Sequence, residues 1–234
     1  MVAAMKALVG ERRAIAAAVL SFYGFIYLLL GFSAPPEWSP ALTAIAALYG
    51  IAFFGVVAGW FWGRWYAQGI GYWGLVSGVL GMWQIGPEPV LVFLTATHGV
   101  LALLLAGESM AAGFDGRNDW RTRFHLDDLG VNRLGKSVVR AAMSLPILLM
   151  WALAPTQPNQ LAAMIPLALG GAGVWALLRM RTWGIFALGG SACVLAGQAS
   201  QGPSIAPLAI GAAVLLGAAV IPFAGPMAKH LRGV

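Results

Sequence analysis

The chain alternates between long apolar runs and short polar or basic breaks. Eight runs approach the length of about 20 residues that a bilayer-spanning helix needs. They cover residues 14–32, 40–62, 66–86, 89–106, 138–154, 160–178, 183–199 and 204–225. The pattern predicts an all-α integral membrane protein, a polytopic bundle of eight transmembrane helices. The first run follows a basic stretch and is longer than a signal-peptide core, so it is expected to persist as the first span.

The breaks alternate in character. "SAPPEWSP", "IGPEP", "APTQPNQ" and "QASQGPS" contain no Lys or Arg, whereas the other breaks and both termini hold all 14 basic residues. The positive-inside rule then puts both termini in the cytoplasm, in a membrane of the bacterial cytoplasmic (inner) type. Tryptophans mark the same two levels. Trp60, Trp62, Trp65, Trp175 and Trp183 fall near the basic side and Trp38, Trp83 and Trp151 near the other, as interface anchors do. Trp73 falls within a run and is expected to pack inside the bundle.

Composition agrees: 60% of residues are hydrophobic and 9% charged, with a mean hydropathy of +0.80. The net charge of +6 is dispersed among apolar runs, which argues for topology and against nucleic-acid binding. The single cysteine, Cys193, excludes an intramolecular disulfide and reads as a buried packing residue.

Small residues recur at close-packing intervals. Gly55, Gly59 and Gly63 are spaced by four, as are Gly74 and Gly78, which predicts a tight pair between the second and third spans. "GRWYAQGIGYWGLVSG" at 63–78 has a counterpart in "MRTWGIFALGGSACVLAG" at 180–197, a hint of a four-plus-four parallel duplication. The expected organisation is a first four-helix unit over 1–106, a cytoplasmic connector over 107–137 and a second unit over 138–234. Pro146, Pro166 and Pro222 fall within spans and predict kinks.

In the connector, Val131, Leu134 and Val138 repeat on one side of a helix and Arg133, Lys136 and Arg140 on the other. This predicts a short amphipathic helix on the membrane surface, its bases toward anionic lipid head groups or a partner subunit. Asp127 and Asp128 are placed to cap it. His125 with those two acids does not match a metal-ligand spacing, and Asp115 and Asp119 lack the rest of a calcium loop, so no metal or other cofactor is expected.

One polar cluster interrupts the fourth run at its midpoint: Thr95, Thr97 and His98. Ionisable groups at that depth are rare and need a partner or a task. The other histidines, His125 and His230, lie outside the runs, which excludes bis-histidine haem within this chain, and all eight acids lie in breaks or at helix ends. No catalytic constellation is therefore expected. Gln68 is the other polar residue proposed for an intramembrane site.

Two readings follow. In the first, the chain is a non-catalytic accessory or scaffolding subunit that holds neighbouring membrane subunits or copies of itself. In the second, it is a small-molecule or ion carrier with a site between the two halves near His98 and Gln68.

Overall fold

The computed structural model describes residues 8–115, 127–153, 155, 159–200 and 206–231. Among these there are nine helices and no strands: α1 (Val9–Ser33), α2 (Ser39–Ala58), α3 (Gly63–Ile85), α4 (Pro89–Leu104), α5 (Glu108–Asp115), α6 (Asp128–Leu153), α7 (Gln160–Leu178), α8 (Trp183–Ala199) and α9 (Ala206–Leu231). Each apolar run coincides with most of one helix, α1, α6 and α9 extending beyond theirs, and the ends fall at recognisable signals. The Asn159 side chain accepts from the Ala162 N–H at 3.1 Å to open α7, and Asp127 accepts from the Gly130 N–H at 2.6 Å to open α6. Gly59, in the left-handed region at φ 68°, closes α2.

Five helices are long and apolar enough to cross a membrane: α1, α2, α6, α7 and α9. A sixth span results if α4 and α5, bent by 72° at their junction, count as one. α8 has 17 residues, about 26 Å of rise. α3 is long enough at 23 residues but carries Arg64, Gln68, Gln84 and six glycines. Its segment from Trp65 to Gly71 is buried on every side, and a helix shielded by protein needs no apolar belt of its own. The outward faces of the other helices carry large apolar side chains, among them Phe32, Val90, Leu103 and Leu161. These long apolar helices suit membrane insertion.

The helices form two closed groups of four. α1 packs on α2, α2 on α3, α3 on α4 and α4 back on α1; likewise α6 packs on α7, α7 on α8, α8 on α9 and α9 on α6. The groups meet chiefly where α3 lies against α6. A Cβ on Gly69 would stand 2.7 Å from that of Ala142, and one on Gly135 would stand 2.8 Å from the Trp65 ring. α8 and α1 make no contact of similar extent, so the groups do not join about a shared twofold axis.

Basic side chains at one end close helix termini. Arg13 donates from Nε to the Val56 carbonyl at 2.7 Å and from Nη2 to that of Val57 at 2.5 Å, capping α2. Arg12 donates to the Ala106 carbonyl at 2.7 Å, just beyond α4. The Val56 carbonyl also accepts from the Gly59 N–H at 3.1 Å, and the helix dipole at this end favours a cation. Prolines open further acceptors, because each removes the N–H that would bond the carbonyl four residues earlier. Pro166 frees Ala162, whose oxygen accepts from Gln198 Nε2 at 2.8 Å; Pro222 frees Ala218, which accepts from Arg140 Nη1 at 2.6 Å. Ser137 bonds the next carbonyl, Ala219, at 2.5 Å, and Ser191 bonds that of Pro166 at 2.7 Å.

Several expectations change. The short surface helix is not separate: its described residues form the first turns of α6, with Val131, Leu134 and Val138 buried, because that face meets the rest of the bundle. Arg140 is half-buried and holds α9, Arg133 is half-buried and Lys136 exposed. Gly59 ends α2 and Gly63 opens α3, so Gly55, Gly59 and Gly63 do not share one helical stripe. A Cβ on Gly63 would instead overlap the Gly55 backbone across the turn. Trp151 is buried, donating to Gln198 Oε1 at 3.2 Å, and does not anchor an interface. Cys193 is exposed on α8. Trp73 is half-buried beside Tyr27, ring centroids 6.3 Å apart. Asp119 and His125 lie outside the described residues.

Replacing Arg13 with Met should lower stability by about 2 kcal/mol, because it strips the carbonyls that end α2 of a charged donor. Thermal unfolding in mild detergent measures this. Arg13→Lys should recover part of the loss, since a single ammonium cannot reproduce the guanidinium fork.

Candidate functional site

The midpoint cluster is built by the antiparallel packing of α3 on α4. Gly71, Gly74, Gly78 and Gly81 form a stripe on α3, and opposite them in descending order stand Ala102, His98, Thr95 and Leu91. A Cβ on Gly74 would overlap the His98 ring, and one on Gly78 would overlap Thr95 Oγ1. The expected pair between the second and third spans is thus replaced at Gly74 and Gly78 by one between α3 and α4. Small residues let these backbones approach closely, and the space they leave holds an imidazole.

His98 is fully buried, and both ring nitrogens are engaged. Nδ1 lies 2.8 Å from the Leu94 carbonyl and Nε2 lies 2.6 Å from the Tyr49 hydroxyl on α2. A carbonyl only accepts, so Nδ1 carries the proton; the neutral ring then accepts at Nε2, and Tyr49 donates to it. Thr97 donates to the Phe93 carbonyl at 2.7 Å, leaving its oxygen to accept from Tyr23 of α1 at 2.5 Å. Thr95 donates to the Leu91 carbonyl at 2.6 Å. The Tyr23 ring covers His98 at a centroid distance of 4.2 Å, and Tyr27 stacks on Tyr49 at 5.4 Å. One helix of the first group therefore presents the polar atoms and two others, α1 and α2, complete them, leaving neither ring nitrogen open to a ligand.

Gln68 sits elsewhere. It is buried at the wall of a cavity of about 760 Å³ between α3, α5 and α6, which His98 does not line. Arg64, Lys136 and Arg140 supply positive charge there, and Glu108 and Asp128 negative charge. Arg64 also donates to the Gly107 carbonyl at 3.2 Å, which ties α3 to the bend before α5. A cavity with both signs of charge and a buried amide can hold a small zwitterion or a charged peptide segment.

The structure thus brings Thr95, Thr97 and His98 together with Gly74 and Gly78, and separates them from Gln68. Arg140 reaches both the cavity and the α9 backbone, whereas Arg133 does not line the cavity. Sequence reasoning missed Tyr23 and Tyr49. A signal was present: all five tyrosines fall between residues 23 and 72, and a hydroxyl in an apolar run needs a partner. Compared with known proteins, the chain matches no family model, no curated protein and no solved structure.

Tyr49→Phe should cost about 1–3 kcal/mol, since it leaves the His98 Nε2 acceptor buried and unmet. Gly74→Ala should cost a similar amount by overpacking against the imidazole. Unfolding transitions of the two variants and the wild type give both numbers.

Proposed function

We propose that the chain is a non-catalytic accessory or scaffolding subunit of a membrane assembly. The observation that carries this reading is the closure of its midpoint cluster: His98, Thr95 and Thr97 spend their polar atoms on Leu94, Leu91, Phe93, Tyr49 and Tyr23 of the same chain. Such a cluster fixes helix register, which suits a framework. The wide apolar faces with Phe32, Val90, Phe93 and Leu103 offer lipid or neighbouring subunits a surface for packing. The reading includes eight crossings, with α3, α4 and α8 completing the five longer spans. It also places both termini and the arginine-rich end in the cytoplasm of a bacterial-type inner membrane. Repetition of the closed four-helix arrangement supports descent from one four-helix unit.

A second reading, a small carrier, is favoured by the charged cavity between the groups. It moves the site away from His98 to Gln68, Arg64 and Arg140.

Gentle extraction from the native membrane, native-gel separation and mass spectrometry of the band should find this chain with other proteins in fixed stoichiometry. His98→Leu should weaken the fold yet leave that association in the molecules that remain intact. A band holding only this chain, with substrate uptake lost in Gln68→Ala, would favour the carrier.

A further inference from the structure

The two helical groups touch closely at α3 and α6 but diverge beside that seam. There α2 and α7 form opposite walls of a cleft of about 560 Å³, closed behind by α3 and α6. Its lining is apolar along most of its length, including Leu149 of α6 and Leu167 of α7, and no Asp or Glu is among the described residues that line it. At its basic end stands Arg179, exposed, its guanidinium 5.6 Å from the centre of the Trp175 ring. From Leu167 to Arg179 the helix rises about 18 Å, close to half of a hydrocarbon core of about 30 Å. The cleft is therefore one leaflet deep, apolar inside and cationic at the rim, with Trp62 and Trp175 near the rim.

We infer that this cleft binds one anionic phospholipid of the leaflet at the basic end, an acyl chain between α2 and α7 and the phosphate on Arg179. Charge and shape both select this occupant. A cation above an apolar slot, with no carboxylate among the described lining residues to neutralise it, matches an acidic head group over a hydrocarbon tail. Tyr66 supplies a second, independent feature. It lines the cleft three residues into α3, and its buried hydroxyl has no hydrogen-bond partner among the described residues. An unmet buried hydroxyl is costly; it is closed to the cleft as the side chain stands, and a turn of the Tyr66 ring toward the slot would bring it to a lipid ester carbonyl, the acceptor at this depth. The lipid would fill the seam between the two groups, as a structural element of the fold.

The test uses the full chain, purified in mild detergent and analysed by native mass spectrometry against phosphatidylglycerol and phosphatidylcholine of identical acyl chains. The wild type should retain one phosphatidylglycerol in preference to phosphatidylcholine. Arg179→Gln should lower that preference about fivefold, the effect of one interfacial cation near an acidic head group. Gly171→Phe should abolish retention of both lipids, because Gly171 lines the cleft and a Cβ there meets nothing within 4 Å. Both substitutions sit where the fold has room, and circular dichroism checks that each variant keeps its helices. Quenching of tryptophan fluorescence by brominated phosphatidylglycerol gives a second readout, strong in the wild type and weakened in Gly171→Phe. Equal retention of the two lipids by the wild type, variants indistinguishable from it, or a polypeptide co-purifying in the cleft in place of lipid would each overturn the assignment.

Discussion

Among long apolar helices of the kind that suit a bilayer, a backbone carbonyl has no water to turn to, and this constraint organises the molecule. Helices meet most of it internally, but each helix end and each internal proline leaves acceptors open. The chain meets these with side chains from neighbouring helices: Arg13 on Val56 and Val57, Arg12 on Ala106, Gln198 on Ala162 and Arg140 on Ala218. Each such bond also joins two helices, so satisfying the backbone and assembling the bundle are one act. In lipid, where apolar contact alone does not draw helices together, this is a large part of what selects one packing.

The same logic accounts for the midpoint histidine. A glycine stripe brings α3 and α4 close, the gap admits an imidazole, and the imidazole then needs a donor and an acceptor. Leu94 in its own helix and Tyr49 in α2 provide them, which fixes the rotation of α4 against two neighbours at once. Polar atoms serve here as registry marks. What stays available for binding lies at the basic end, where the two groups of helices meet and leave a charged cavity on one side and an apolar cleft on the other.

Much of this was legible in the sequence because hydropathy and punctuation report directly on helix length. The runs at 160–178 and 183–199 match α7 and α8 residue for residue. Asp127 was readable as a cap, and the polar cluster of α4 was found from its position alone. Partner choice was not legible. That Gly74 receives His98 depends on which face α3 turns toward α4, which spacing by four does not encode. Arg140 read as a lipid or partner contact because its bond to Ala218 exists only once Pro222 has opened that carbonyl 78 residues away. The turn at Gly59 was hidden inside "GVVAGWFWG", an apolar stretch in which a left-handed glycine and a close-packing glycine look alike.

Polar side chains are committed to carbonyls that proline has freed, and a double-mutant cycle at Pro166 and Gln198 puts this to the test. Gln198→Leu alone should lower stability by about 1 kcal/mol, the usual size of such a bond in a membrane protein. In a Pro166→Ala background the restored N–H can bond the Ala162 carbonyl within its own helix, and the same Gln198→Leu change should then cost less, leaving only the part that comes from the Trp151 Nε1 bond to Gln198. An equal cost in both backgrounds would contradict the claim, because Gln198 would then stabilise the bundle without regard to the carbonyl that Pro166 leaves open.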